Sequence, residues 1–467
     1  MVPERLRPVL EVATPIADRF ITAGKRIYLV GGTVRDAIAG RPGGADADGS
    51  ADIDLTTDAL PDEIEEIVKG LDAPIWTQGK RFGTIGVQYK GRRFEITTHR
   101  AEAYDPDSRK PTVSFGDDIS VDLSRRDFTV NAMALRLPDL ELFDPYSGLQ
   151  DLAARRLRTP LDPEVSFSDD PLRMLRAARF LAGYELEPDA SLVSAVAAMT
   201  ERMSIVSAER IRDELDKMIT LPAPAAGLWF IVSTGLADRF LPELPALALE
   251  QDPVHRHKDV LAHTIAVVSK TWPDKVLRLA ALFHDVGKPK TRSVGPDGVS
   301  FHHHDVVGAR MTRERMKALR YPTGEIDDVC RLVELHLRFH TYQMGWTDSA
   351  VRRYARDAGD LLQRLNDLTR ADCTTRNAAR ARALAARMDE LEARLGEIRQ
   401  KEELDALRPE LDGEEVMTVL GVGPGRLVGE ALRFLMEIRL EEGLIGIEEA
   451  RRRLVVWGRE RGLGRKD

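Results

Sequence analysis

The stretch "SADIDLTTD", residues 50–58, alternates acidic and apolar residues as a half-buried strand does. Residues two apart on a strand point to the same side, so Asp52 and Asp54 present two carboxylates on one face. Like charges so placed repel unless a cation sits between them. Mg²⁺ suits such a pair, because it is usually held by one or two carboxylates together with substrate phosphates. Two such ions can hold the attacking and leaving oxygens of a displacement at phosphorus in line.

The residues upstream agree. "RIYLVGG", 26–32, reads as a buried strand ending in a glycine turn, and "TVRDAIAG", 33–40, as a short helix with a glycine stop. Gly31 and Gly32 let backbone amides approach a ligand closely, and the helix N-terminus that follows favours anions. Arg35, one turn into that helix, can reach a phosphate. No Gly-Lys-Ser/Thr follows, so this is not a P-loop. By itself an Asp-x-Asp is as readily a solvated acidic loop beside an edge strand. Joined to the glycine turn and the arginine, it describes nucleotidyl transfer.

A chain of 467 residues predicts about three domains. Two cysteines, Cys330 and Cys373, exclude a disulfide framework and predict a reducing cytoplasm. The N-terminus "MVPERLRPVLEVATP" lacks an apolar signal core, and the longest apolar run, "AAGLWFIV", is far short of a membrane span. A net charge of −8 excludes a broadly basic nucleic-acid coat, though not local patches such as "RRDF", "ARRLR", "RMLRAAR" and "RRRL".

Residues 1–145 mix strands and helices. "LPDEIEEIVKGL" predicts a helix with proline near its start, and "TIGVQYKGRRFEITT" a hairpin around Lys90-Gly91. "AEAYDPDSRKPTVSFGDD" is a polar stretch expected to be mobile. From about 146 onward the strand signals almost vanish and helical periodicity takes over. Nine of the ten histidines lie between His255 and His340, so that region has its own chemistry. Residues 376–410 are highly charged and helical, and "LGVGPGRLVGEAL" is a glycine turn opening a late helix.

In order along the chain, "LVGGTVRD", "DIDLTTDALPDEI", "GKRFGTI", "RRDFTVNAMAL", "DPYSG" and "DDPLRMLRAARF" resemble the class II tRNA nucleotidyltransferase family. That family contains CCA-adding enzymes and bacterial poly(A) polymerases, built on a DNA polymerase beta-like head. The resemblance implies that Asp52 and Asp54 hold the catalytic Mg²⁺ and that Gly32 and Arg35 contact the nucleotide. It further implies that Arg126 binds the nucleotide, with Asp127 and Asn131 near the sugar. Read without it, Asp127 is a helix cap for "FTVNAMAL". "DPYSG", Asp144 to Gly148, resembles a hinge between head and neck.

Asp170 and Arg173 are three apart, which on a helix places them on one face. Cytosine and adenine both offer an amino donor beside a ring-nitrogen acceptor, whereas guanine and uracil offer a carbonyl beside a ring N–H. An aspartate that accepts and an arginine that donates therefore take C and A and reject G and U. The alternative is an intrahelical salt bridge. In the family the matching pair is a protein template for CTP and ATP, and Arg176 and Arg179 match further nucleotide contacts. Asp169 stands where the family usually has Glu. "SAERIRDEL" resembles a bracing neck helix, with Glu209 and Arg210 as supports. The loop before "RRDF" is present in complete CCA-adding enzymes, and the chain lacks the basic strand of the poly(A) branch, so CCA addition is expected over poly(A) synthesis.

"HRHKDVLAHTIAVV", "LAALFHDVGKPKT", "FHHHDVVGARM" and "LVELHLRFH" resemble an HD phosphohydrolase domain. That implies a divalent metal on His263, His284, Asp285 and a later aspartate, Asp372. Imidazole with carboxylate suits Mn²⁺, Ni²⁺, Co²⁺ or Zn²⁺. His304 and His336 are candidates for further ligation or phosphate contact, Lys288 adds positive charge, and His255, His257, His302, His303 and His340 read as surface residues. Some relatives hydrolyse 2′,3′-cyclic or 2′ phosphates.

The expected architecture is α+β: a nucleotidyltransferase head at 1–145, a helical neck at 146–245, an HD domain at 246–375 and a helical tail at 376–467. The expected partners are CTP, ATP and the acceptor and T arms of tRNA, with no membrane. The motifs do not specify an oligomeric state. Two rival readings are an HD hydrolase with a nucleotide-sensing head and a non-catalytic RNA-binding protein.

Overall fold

The computed structural model describes residues 6–41, 52–103, 112–249, 259–295, 298–339, 346–373, 378–402 and 408–463. Ser50, His255, His257, His340, most of the loop after Gly40 and the middle of the polar stretch at 101–118 lie outside them. The chain forms two compact units: Met1–Pro245 with Ala318–Tyr321, and Ala246–Lys317 with Pro322–Asp467.

The first unit is built on a mixed sheet. Its strands are β1 (Ile27–Val30), β2 (Ile53–Thr57), β3 (Ile75–Trp76), β4 (Thr84–Tyr89), β5 (Arg92–Thr98), β8 (Ala134–Arg136) and β9 (Leu142–Phe143), in the order β3-β4-β5-β2-β1-β8-β9. In this sheet β2 and β5 pair in parallel, Asp54 opposite Glu95, and the other described pairings are antiparallel. Lys90 and Gly91 turn the β4–β5 hairpin with positive φ at both residues, as a two-residue hairpin requires. β6 (Arg100–Ala103) and β7 (Thr112–Phe115) form a separate ribbon, so the ends of the stretch read as a polar loop are paired strands. Four helices accompany the sheet: α1 (Arg7–Thr22), α2 (Gly32–Ile38), α3 (Pro61–Lys69) and α4 (Ile119–Ser124). Ile16, Phe20, Leu29, Leu55, Ile64, Phe94 and Ile96 share one core.

β2 departs from the half-buried pattern. It lies between β5 and β1, and Thr56 and Thr57 are buried as fully as Ile53 and Leu55. Their hydroxyls tolerate this by donating to Thr97 O at 3.0 Å and Arg26 O at 2.6 Å. Asp54 is half-buried, while Asp52 precedes the strand and is exposed. "FTVNAMAL" is not a helix either: it is a 3₁₀ turn, Thr129–Asn131, running into β8. The helix-cap reading of Asp127 therefore falls.

The helical part of this unit comprises α5 (Gly148–Ala153), α6 (Pro163–Asp169), α7 (Leu172–Tyr184), α8 (Ala190–Met199), α9 (Ala208–Ile219) and α10 (Ala225–Ser233), with a short parallel pair of β10 (Arg156–Leu157) and β11 (Glu187–Pro188). α7 packs on α9 and α10 through apolar residues such as Leu175, Leu215 and Leu228. At the start of α5 the Asp144 carboxylate accepts from Gly148 N at 2.7 Å and Leu149 N at 2.9 Å. A Cβ on Gly148 would lie 2.1 Å from Thr129 O and 2.9 Å from Met133 Cγ. Glycine is required there for close packing beneath the 3₁₀ turn. Gly148→Ala is expected to cost about 1–3 kcal/mol, seen as a lower melting temperature; an unchanged value would show that α5 shifts freely.

The second unit is helical: α11 (Val260–Lys270), α12 (Lys275–Phe283), α13 (Lys288–Thr291), α14 (His304–Ala318), α15 (Thr323–Leu335), α16 (Asp348–Ala358), α17 (Leu362–Asp372), α18 (Ala378–Glu402), α19 (Gly413–Leu420), α20 (Arg426–Glu442) and α21 (Ile447–Glu460). One hairpin, β12 (Arg292–Gly295) with β13 (Gly298–Phe301), interrupts it where sequence periodicity predicted none. α19 starts on an Asp412–Glu415 capping box and stops at Gly421 in the left-handed region. Among the described residues, no helix is long and apolar enough to cross a membrane.

Candidate active site and metal centre

β1 ends at Gly31, whose φ of +70° favours glycine. A Cβ there would lie 3.1 Å from Arg126 Nη1 and 3.4 Å from Asp54 Oδ2. The glycine turn, Asp54 and Arg126 thus converge on one spot. Burial pushes the Asp54 carboxyl up to about 6; Arg126 opposes the shift, and Glu95 and Asp52 add to it. A third carboxylate, Glu95, therefore stands beside the pair, and sequence reading missed it. An under-neutralised cluster of hard oxygen donors fits Mg²⁺. Arg93 Nε lies 3.6 Å from Asp52 Oδ1, a loose contact.

Arg126 is held by a residue that the sequence did not single out. Asp122 on α4 is fully buried, 2.6 Å from Arg125 Nη2 and 3.4 Å from Arg126 Nη2. Burial alone would raise its carboxyl, but Arg125 and Arg126 outweigh that and hold it low. Arg126 Nε is buried without a hydrogen-bond partner among the described residues.

The other nucleotide-contact candidates form one polar network. Arg35 is only 7% exposed. It donates to Asp36 Oδ1 at 2.8 Å, to Asn131 Oδ1 at 2.6 Å and to the Tyr184 hydroxyl, with its guanidinium stacked over the Tyr184 ring. Asn131 Nδ2 donates to Asp127 Oδ1 at 2.9 Å, and Arg176 donates to Asp127 Oδ2 at 3.0 and 2.5 Å. Arg176 and Arg179 then share Glu214, at 3.3 and 2.6 Å. Burial would raise the Asp127 carboxyl, but Arg176 and Asn131 hold it well below the usual range. The network ties α2, the 3₁₀ turn, α7 and α9 together. Sequence reading had Glu209 and Arg210 as supports on α9; Glu209 is exposed, and the buried acid is Glu214, at 4%. Glu214→Gln is expected to lower stability by about 1–3 kcal/mol, less than a fully buried pair would cost because Arg176 and Arg179 are partly solvated. Chemical unfolding checks it, and a loss under 0.5 kcal/mol, on the order of an exposed pair, would refute it.

The pair expected to read the base differs from expectation. Asp170 is not on the helix of Arg173: it closes α6, and its Oδ1 accepts from Leu172 N at 3.2 Å at the start of α7. Arg210 donates to both Asp170 oxygens, at 3.3 and 2.7 Å. Arg173 is buried and donates to Ser166 Oγ at 2.9 Å and Arg125 O at 2.5 Å. Among the described residues no ion pair joins Asp170 to Arg173, so the intrahelical salt bridge is not formed. A carboxylate has about four acceptor sites and a guanidinium five N–H donors, so both keep capacity for a base edge.

In the second unit α11, the end of α12, α14, the end of α15 and α17 bring His263, His284, Asp285, His304, His336 and Asp372 together. His263 Nε2 lies 3.3 Å from His284 Nε2 and 2.9 Å from Asp372 Oδ1. Two nitrogens on one tetrahedral ion at about 2.0–2.1 Å lie roughly 3.4 Å apart, so the spacing fits. Burial would raise the Asp285 carboxyl, but His284 and Lys288, whose Nζ is 2.7 Å away, hold it charged. Burial pushes His336 down to about 4, which keeps its ring neutral. His302 and His303 are exposed.

Comparison with known proteins follows the same division. Residues 27–158 match the poly A polymerase head domain, 184–247 the probable RNA and SrmB-binding site of polymerase A, and 261–377 the HD domain. An A-adding tRNA nucleotidyltransferase of Deinococcus radiodurans is 38% identical over 357 residues, 73% of this chain and 79% of the relative. The chain belongs to the tRNA nucleotidyltransferase family. It is thereby a nucleotidyltransferase, of a family whose chemistry uses a divalent metal. A CCA-adding enzyme of Lactobacillus gasseri is 36% identical over 249 residues, 53% of this chain and 58% of that relative, so the match spans little over half its length. The Bacillus stearothermophilus CCA-adding enzyme in complex with CTP has the same fold, with a TM-score of 0.68 over 98% of this chain and 99% of that one, at 22% identity. A Thermotoga maritima CCA-adding enzyme complexed with tRNA gives 0.58 over 97% of each chain, at 18% identity. The α+β class, with a sheet-based head, helical neck and HD domain, is the fold of these enzymes.

Proposed function

We propose that this nucleotidyltransferase adds C, C and A to the 3′ end of tRNA from CTP and ATP without a nucleic-acid template. The observation that carries the reading is the convergence of the Gly31 turn, Asp54 and Arg126 on one spot. Asp52, Asp54 and Glu95 would hold Mg²⁺, which when bound supplies charge for the triphosphate and acidifies the attacking 3′-hydroxyl. Arg126, whose Nε–H has no partner among the described residues, binds the triphosphate. The Asp127–Asn131 pair positions the sugar, and Arg35, Arg176 and Arg179 hold that pair and the neck in register. Asp170 accepts from the base amino group while Arg173 donates to the ring nitrogen. The four-part division at 145, 245 and 375 assigns nucleotide to head and neck, and the acceptor and T arms of tRNA to body and tail, through shape and phosphates. The HD centre is a phosphohydrolase site for 2′ or 2′,3′-cyclic phosphates at damaged tRNA ends, and the protein works in the cytoplasm.

A second reading is addition of the terminal A alone, favoured by the Deinococcus relative being an A-adding enzyme. One assay separates them: tRNA lacking CCA and tRNA ending in CC, each with CTP, ATP or both. C, C and A on the first substrate supports the main reading. Extension of the CC-ended substrate alone selects the second. An unbounded A ladder overturns both in favour of poly(A) synthesis, and no addition by folded protein leaves the HD hydrolase as the main enzyme.

A further inference from the structure

Arg35, Asn131 and Asp127 form a relay in which only one arrangement satisfies every group. An arginine has donors and no acceptor, and an ionised aspartate has acceptors and no donor. Asn131 lies between them: its Oδ1 accepts from Arg35 Nη1 at 2.6 Å, and its Nδ2 donates to Asp127 Oδ1 at 2.9 Å. Turned over, the amide would set donor against donor and acceptor against acceptor. Arg35 therefore decides which way Asn131 points.

Hydrogen-bond capacity separates the two residues assigned to the sugar. Asp127 Oδ1 accepts from Phe128 N at 2.8 Å as well as from Asn131, and Oδ2 accepts from Arg176 Nε and Nη2 at 3.0 and 2.5 Å. These bonds fill the roughly four acceptor sites of a carboxylate. Beyond its bonds to Arg35 and Asp127, the Asn131 side chain keeps one N–H and one lone pair among the described residues. A sugar hydroxyl, which donates and accepts at once, matches that remainder.

Tyr184, the last residue of α7, fixes Arg35 in turn. Its hydroxyl accepts from Arg35 Nη2 and donates to Asp36 Oδ1 at 3.1 Å, the same oxygen that accepts from Arg35 Nε at 2.8 Å. The Arg35 guanidinium lies 4.1 Å from the centre of the Tyr184 ring, the Arg41 guanidinium 4.6 Å from it, and the ring stacks on Phe180 at 5.3 Å. Arg41 also donates to Gly183 O. One helix thus grips the relay at both ends, at Arg35 through Tyr184 and at Asp127 through Arg176, about two helical turns away.

We propose that Tyr184 is a positioning residue for sugar selection: by holding Arg35 it orients the Asn131 amide, and that amide reads the 2′-hydroxyl of the incoming nucleotide. The proposal deepens the reading of Asp127 and Asn131 as the sugar-positioning pair and rests on it. The 2′-hydroxyl is the group that separates a ribonucleotide from its deoxy form, so the role is legible as a preference between the two.

The test compares kcat/KM for CTP and dCTP on tRNA lacking CCA and for ATP and dATP on tRNA ending in CC, with CTP against UTP as the measure of base choice. Tyr184→Phe keeps the ring and removes the hydroxyl. It is expected to lower the ribonucleotide preference by about 10-fold, as the loss of one hydrogen bond to a charged group does, while the preference for C over U holds. Asn131→Ala, which removes the reading amide itself, is expected to lower the ribonucleotide preference further. A lowered preference in Asn131→Ala beside an unchanged one in Tyr184→Phe overturns the role of Tyr184 alone, whatever happens to the melting temperature. Equal loss of sugar and base preference in Tyr184→Phe also overturns it, because the hydroxyl would then only seat α7. An unchanged preference in Asn131→Ala, or a parent protein that adds nothing or takes the deoxy forms as readily, overturns the sugar reading and the role of Tyr184 with it. If Tyr184→Phe fails to fold, Arg41→Met, which removes the second guanidinium from the ring, decides by the same ratio: a fall supports the role and an unchanged value overturns it.

Discussion

Asp54→Asn abolishes nucleotide addition, with the rate at saturating CTP falling by roughly three to four orders of magnitude, the several kcal/mol that a correctly held ion supplies. The same substitution makes the metal-free protein more stable at neutral pH. Burial holds the Asp54 carboxyl up at about 6, against an ordinary value of 3.8. Below about pH 4 the group is protonated in both folded and unfolded chains and contributes no difference. As pH rises from about 4 to about 6, the unfolded chain gives up this proton while the folded chain keeps it, so the folded state loses about 1–3 kcal/mol, a loss complete above about pH 6. In chelator, the variant's stability advantage should therefore be present at pH 7 and fade toward pH 4. Added Mg²⁺ should close the gap by stabilising only the unsubstituted protein. Urea unfolding at several pH values, with and without Mg²⁺, reads all three effects. A variant that retains addition, or is less stable than the parent at pH 7 in chelator, would remove Asp54 from the metal site.

Asp170→Ala loosens base choice. Without the carboxylate, the amino group of C or A loses its acceptor and the carbonyl of U or G is no longer repelled. A mismatched buried polar pair costs about 1–3 kcal/mol, so the kcat/KM preference for C and A should fall by roughly 10- to 100-fold. Because Asp170 also receives Arg210 and starts α7, the variant is compared with Arg210→Ala, which frees the same carboxylate but leaves it in place. Arg210→Ala should keep the preference while sharing the loss of the ion pair. Incorporation of each NTP into tRNA lacking CCA measures both. Equal loss of preference in the two variants would make Asp170 a structural cap and not a reader of bases.

Much of this was legible in the chain itself. "RIYLVGG" encodes a buried strand and a left-handed turn because β-branched and aromatic residues are followed by glycine, and both are found. The hairpin around Lys90-Gly91 and the stop of α19 at Gly421 follow from local torsional preference in the same way. Where periodicity misled, a tertiary demand overrode it. β2 is a central strand whose Thr56 and Thr57 can be buried because their hydroxyls donate to Thr97 O and Arg26 O, and "FTVNAMAL" gives up its helix to feed β8 into the sheet beside β1.

The sequence by itself determined which side chains the candidate sites offer: hard carboxylates after a glycine turn, an aspartate acceptor near an arginine donor, and a set of histidines with aspartates. Only the tertiary structure decided which residues act together. Glu95 joins Asp54 through the parallel β2–β5 pairing, and Asp122 and Glu214 become the buried anchors of Arg126, Arg176 and Arg179. In "FHHHD", His304 is buried in the histidine–aspartate cluster while His302 and His303 face solvent, although nothing in the local string distinguishes them. The physical reason is range. Torsional preference and hydrophobic period act over a few residues, whereas burial, ion pairing and ligand geometry are set by partners tens of residues away that meet only when the chain has folded.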